Sequence, residues 1–133
     1  MVTRWARSPR HVAPARHELR RALDAWGLVG LVDAAELVLS ELFTNAVRHA
    51  RIPRDGLIET RYERIPDGVR IEVHDANEIR PVLQTPSADA ECGRGLALVD
   101  ALTQGRWGVD GRDGVGKLLW AVVADGDPGG GER

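Results

Sequence analysis

The stretch from Leu37 to Ala50 limits most strongly what this chain can become. Apolar residues at Ala35, Leu39, Leu42, Phe43, Ala46 and Ala50 recur at helical spacing and form a broad stripe that a core must cover. On the other side Glu41, Asn45 and His49 line up at i, i+4 and i+8, with Thr44 and Arg48 beside them. A merely solvated face favours Lys, Glu, Gln and Arg. Asn and Thr are mediocre helix formers, so their place in mid-helix points to work for their side chains. A carboxylate one turn from a carboxamide can face a hydrated hard cation and a nearby hydroxyl or water. The pattern predicts the floor of a Mg²⁺-nucleotide site. A solvated polar stripe is the commoner use of such a pattern, so the rest of the chain has to decide.

With 133 residues, the chain suits one domain around one sizeable core. Its net charge of −2 gives no global reason to expect nucleic acid or an acidic membrane surface as a partner. Near the start, Arg4, Arg7, Arg10, Arg16, Arg20 and Arg21 face a single acid, Glu18. Solvated arginines around a helix explain this better than a basic arm. Cys92 is the only cysteine, so no intrachain disulfide can form, which fits a reducing compartment. No run reaches the length of a membrane span, and the first residues lack the apolar core of a secretory signal. A cytoplasmic protein is expected.

The punctuation of the chain sets the elements. Residues 1–12 read as an N-terminal arm or an edge strand around Thr3-Arg4-Trp5. Pro14 then opens a helix whose stripe is Ala15, Leu19, Ala22, Leu23 and Trp26, with Gly27 ending it. Asp33 and Glu36 resemble a capping box at the start of the second helix, which runs to about Ala50. Residues 57–64 and 69–75 form a hairpin around Pro66-Asp67-Gly68. Its register puts Asp75 on the core side with Val69, Ile71 and Val73, a costly place for a carboxylate without hydrogen bonds. Residues 76–92 lack periodicity and read as a long connection. Gly93-Arg94-Gly95 leads into a short helix from Leu96 to Leu102. Strands at 106–109 and 117–123 follow, and 125–133 reads as a disordered tail after a domain at 13–124.

Three features thus fall in order: the Glu41/Asn45 helix, Asp75 at a strand end, and a Gly-x-Gly before a helix. Each has a bland alternative: a solvated stripe, a turn cap and a flexible loop. Together they fit one ligand. Asp75 can accept a hydrogen bond from an exocyclic amine such as that of adenine. Gly93 and Gly95 would let backbone N–H groups approach phosphates at a helix N-terminus. Asn45 would help hold Mg²⁺, and Glu41 would serve as a general base near the terminal phosphate. Arg94 is the basic side chain best placed for phosphate, with a solvent-facing role nearly as well supported.

Other motifs are rejected. Residues 111–118 spell most of a P-loop, but Leu118 replaces the residue that must reach Mg²⁺, and the following segment reads as a strand. Lys117 can reach a phosphate, although a surface lysine at a strand start is commoner. Gly93-Arg94-Gly95 lacks the third glycine of a dinucleotide fingerprint. His49 has no second His or Cys placed to share a metal, and Cys92 has no base partner.

Residues 41–50 resemble the N box of the GHKL ATPases, the superfamily of gyrase, heat-shock chaperone, histidine kinase and mismatch-repair protein. Val73-His74-Asp75-Ala76-Asn77 resembles the first glycine box, and Gly93-Arg94-Gly95-Leu96-Ala97-Leu98-Val99 the second. The ending Arg106-Trp107-Gly108-Val109, then Gly116-Lys117-Leu118-Leu119-Trp120, resembles the small anti-sigma-factor serine/threonine kinases. The resemblance implies a two-layer α/β sandwich of the Bergerat type, with helices on one face of a mixed, mostly antiparallel sheet. It implies ATP and Mg²⁺ as cofactors, with Asn45, Asp75, Asn77, Gly93, Arg94, Gly95, Leu96 and Lys117 at the nucleotide and Asn45 at the metal. Three positions depart from the family. Asn77 and Ile79 stand where the first box has glycines, and Leu118 takes the place of a Ser or Thr that helps bind adenine.

By resemblance the function is a serine/threonine protein kinase acting on an anti-sigma-factor antagonist, able also to hold a sigma factor, with a homodimer as family habit. Glu41 is the candidate catalytic residue. The alternative is an ATP-dependent protein-binding switch without phosphoryl transfer.

Overall fold

The structure is a computed structural model that describes residues 1–48, 57–75, 90–111 and 117–124. Its strands are β1 (Val2–Ala6), β2 (Leu57–Ile65), β3 (Gly68–Asp75), β4 (Trp107–Gly111) and β5 (Lys117–Ala124). They form a five-stranded sheet in the order β1-β2-β3-β5-β4. All four described pairings are antiparallel. The helices are α1 (Val12–Ala25), α2 (Val32–Arg48) and α3 (Ala90–Thr103).

Alternation along the strands decides which face is covered. Ile58 and Tyr62 of β2, Val69, Ile71 and Val73 of β3, and Leu119, Ala121 and Val123 of β5 share one buried cluster. The helices contribute Ala15, Leu19 and Leu23 from α1, six residues of α2 from Ala35 to Ala46, and Val99 from α3. All the strand members lie on one side, so the helices form a second layer on that side. This is the expected α/β sandwich.

Local chemistry explains the boundaries. Gly27 has φ of +75°, and Leu28 N–H donates to Leu23 O at 2.8 Å while Gly27 N–H donates to Asp24 O at 3.1 Å. This paired closure satisfies the last carbonyls of α1, and the left-handed residue it needs is glycine. Asp33 lies inside the first turn of α2, not at a cap, because a 3-10 turn at Val29–Leu31 starts the helix earlier. A carboxylate in that turn still suits the helix dipole. At the β2–β3 turn Asp67 has φ of +66°, and Gly68 lies so close to β5 that a β-carbon there would overlap Val123 O.

The edge strand β1 is anchored across the sheet and to α1. Trp5 Nε1 donates to Thr60 Oγ1 at 2.9 Å, and Thr3 Oγ1 donates to Glu18 at 2.5 Å. Arg20 of α1 makes a two-pronged contact with Glu36 of α2, at 2.8 and 3.0 Å. Tyr62 OH donates to Ala15 O at 3.2 Å, fixing α1 over β2.

The other face of the sheet carries a charge ladder. Glu59 accepts from Arg4 and Arg61, and Glu72 accepts from Arg70 and from His74 Nε2. Arg70 also stacks on Trp120, 4.8 Å from the ring centroid. Burial alone would push both carboxyls up, but these partners outweigh it and hold both below the usual carboxylate range. A depressed folded-state value means stability that is complete above the unfolded value and lost as pH falls. The fold should therefore lose stability as pH drops below about 4.3. Urea midpoints measured against pH should fall less steeply in Glu59→Gln/Glu72→Gln than in the wild type. Equal slopes would contradict the account.

Candidate functional site

The site is assembled where α2 packs against both β3 and α3. Helix α2 is amphipathic as its sequence requires. Ala35, Val38, Leu39, Leu42, Phe43 and Ala46 are fully buried, while Leu37 is 47% exposed. The polar positions do not follow the solvated pattern. Asn45 is only 5% exposed, and Glu41 is half-buried. Asn45 Oδ1 is buried with no hydrogen-bond partner among the described residues. A buried carboxamide oxygen left without a donor is costly. It is also the hard oxygen that Mg²⁺ accepts as a ligand. This orphaned atom weighs against the solvated-stripe alternative.

Asp75 ends β3 on the helix side, 1% exposed. The expected register is observed: Val69, Ile71, Val73 and Asp75 face the helices together. Opposite Asp75 in the antiparallel pairing stands Lys117, the first residue of β5. Lys117 begins a strand, which disposes of the P-loop reading.

The same register corrects the reading of Leu118. It pairs with His74, and both lie on the face turned away from the helices. Leu119 is the β5 residue that shares the buried cluster with the helices. The period-two alternation of a strand places Leu118 on the opposite face from Asp75, so a hydroxyl at that position would not stand beside the Asp75 carboxylate.

Gly93 and Gly95 also differ from expectation. They do not precede a helix, because α3 begins at Ala90 and both glycines lie inside its first turns. Glycines often mark a helix boundary, but here Ala90 and Glu91, good helix formers, extend the helix backwards. Gly95 gains a contact instead. A β-carbon on it would overlap Glu41 Oε1, so the second glycine stretch and the α2 carboxylate touch directly. Leu96 is 1% exposed and points its side chain into packing. Asn77 and His49 lie outside the described residues, as do the side chains of Arg94 and Lys117.

The structure therefore joins Glu41 with Gly95 at residue level. Asn45 stands one turn along from Glu41 on the same helix, and Asp75 ends β3, a strand that α2 packs against. Among the described residues there is no group of three or more His, Cys, Asp or Glu that could hold a metal. Mg²⁺ does not need one, since it is commonly bound by one or two protein oxygens with phosphates and waters. The residues present fit Mg-nucleotide: Asn45 would hold the metal, Asp75 the base, and Glu41 would stand near the reacting phosphate. What sequence reasoning missed was the steric match of Gly95 to Glu41 and the true face of Leu118. Strand alternation counted back from Val123 would have given the second; the first needs helix packing. No helix among the described residues is long and apolar enough to cross a membrane.

A family model described as histidine kinase-like ATPase domain matches residues 5–121. Sixteen chains of solved structures match. One is the histidine kinase domain of the blue-light activated histidine kinase from Erythrobacter litoralis EL346, with 22% sequence identity and a TM-score of 0.49. That match covers 72% of this chain and 45% of the other, so this chain spans less than half the length of that relative. No curated protein matches.

Proposed function

The chain belongs to the histidine kinase-like ATPase family, and on that footing we propose that it is an ATP-dependent regulatory protein kinase acting on a serine or threonine hydroxyl. The observation that carries the reading is the pairing of a buried Asn45 Oδ1, without a hydrogen-bond partner among the described residues, with a half-buried Glu41 one turn earlier. Nucleotide binding alone needs the first and has no use for the second.

In this reading Mg-ATP supplies the phosphoryl group and charge neutralisation. The chain supplies placement. Asp75 accepts from the exocyclic amine of adenine, and Asn45 fixes the metal at the phosphates. Glu41 takes the proton of the incoming hydroxyl as its oxygen bonds to the γ-phosphorus and ADP departs. Positioning contributes most of the rate in such transfers. The resemblance of the ending at Arg106–Val109 and Gly116–Trp120 to anti-sigma-factor kinases supports an anti-sigma-factor antagonist as substrate. It supports a sigma factor as a second partner and a homodimer as the working form.

The second reading is a switch that binds ATP and changes a protein interface without transfer. It is favoured by Asn77 and Ile79, which replace the flexible glycines of the first box. Mixing the protein with γ-labelled ATP and small candidate antagonist domains separates the two. Label on the antagonist that disappears in Glu41→Ala supports the kinase. Tight, nucleotide-dependent partner binding without label supports the switch.

A further inference from the structure

Gly95 sits one turn inside α3 with its α-carbon against α2. A β-carbon built there would overlap Glu41 Oε1 and stand 3.5 Å from Glu41 Cδ. Among the described residues nothing else outside its own helix comes within 4 Å. The Glu41 carboxylate thus fills the space that any side chain at position 95 would take. Resting on the reading of Glu41 as the base, we propose that Gly95 is a positioning residue: the bare α3 backbone is the backstop that sets where the Glu41 carboxylate stands.

The physical reason lies in the flexibility of glutamate. Three rotatable bonds let its carboxylate sweep a wide arc, and a half-buried position restrains it only in part. Helix α3 closes one side of that arc at Gly95. A methyl group there would push the carboxylate away by roughly 1 Å, a displacement that can cost about a hundredfold in rate. The atom that must move is the far end of a flexible side chain, not backbone. The fold can therefore absorb the methyl group, and alanine is the better helix former. The substitution should hurt the reaction while sparing the fold.

A different role would behave differently. If Gly95 matters because its backbone approaches phosphate, an added methyl hurts whether or not Glu41 is present. If it acts through Glu41, removing Glu41 removes the effect. The full chain is compared as wild type, Gly95→Ala, Glu41→Ala and the double variant. The readouts are the unliganded Tm, the Mg-ATP affinity, the rate of ADP formation with water as acceptor, and the ¹³C signal of the Glu41 carboxyl, identified by its loss in Glu41→Ala.

Gly95→Ala is expected to leave Tm unchanged or raised and to move the Glu41 carboxyl signal. It should change Mg-ATP affinity less than threefold, lower ADP formation at least tenfold, and add no loss to Glu41→Ala. Three results would overturn the inference alone: an unmoved carboxyl signal, full ADP formation in Gly95→Ala where Glu41→Ala loses it, or a further loss in the double variant. Full ADP formation in Glu41→Ala would sink the base role itself, and the inference with it.

Discussion

Asp75→Asn is expected to weaken Mg-ATP binding about tenfold to hundredfold while leaving the unliganded fold in place. The substitution keeps the shape of a side chain that is almost wholly buried at the end of β3 and removes its charge. A hydrogen bond to a charged group contributes about 1.5–3 kcal/mol, more than a neutral one, and burial protects it from water. By mass action a ligand at one hundred times its Kd stabilises the fold by about 2.7 kcal/mol. A hundredfold loss of affinity at the same concentration leaves about 0.4 kcal/mol. The melting shift should almost vanish. GTP, which offers an acceptor where adenine offers an amine, should give a smaller shift than ATP with the wild type. An Asp75→Asn protein with a full shift would remove Asp75 from the site.

Glu41→Ala is expected to lower phosphoryl transfer by about 10²–10⁴ with little loss of Mg-ATP affinity, the usual range for removing a general base. The carboxylate is half-buried and held between two helices, and it makes no part of the fully buried core. The variant should fold. The loss should appear in kcat and not in the nucleotide concentration needed, because the proton is taken only as the bond forms. Steady transfer in this variant would remove Glu41 from the role of general base.

The fold was legible wherever a periodic pattern met a clear stop. The stripe of α1, its end at Gly27, the hairpin around Asp67 and the core side of Asp75 all follow from spacing and turn chemistry. The start of α3 was not, because glycine marks boundaries in most loops yet is tolerated inside this helix. The polar stripe of α2 could be seen but not weighed. Whether Asn45 meets water or protein depends on what α2 packs against, and no local pattern contains that. In the fold Asn45 is buried, and its Oδ1 has no hydrogen-bond partner among the described residues. Gly95 shows the same limit. Its place in a glycine-rich stretch suggested backbone flexibility, whereas its contact with Glu41 arises from two helices far apart in sequence. Leu118 was a failure of another kind, since the alternation needed to place it was already present along β5.

The most direct measurement is the melting temperature of the full chain with rising Mg-ATP, repeated with Mg²⁺ chelated. A Mg-nucleotide site between α2, α3 and β3 predicts a Tm that climbs with the logarithm of Mg-ATP concentration, and a clearly smaller rise without the metal. A Tm that does not move at millimolar Mg-ATP would contradict both the kinase and the switch.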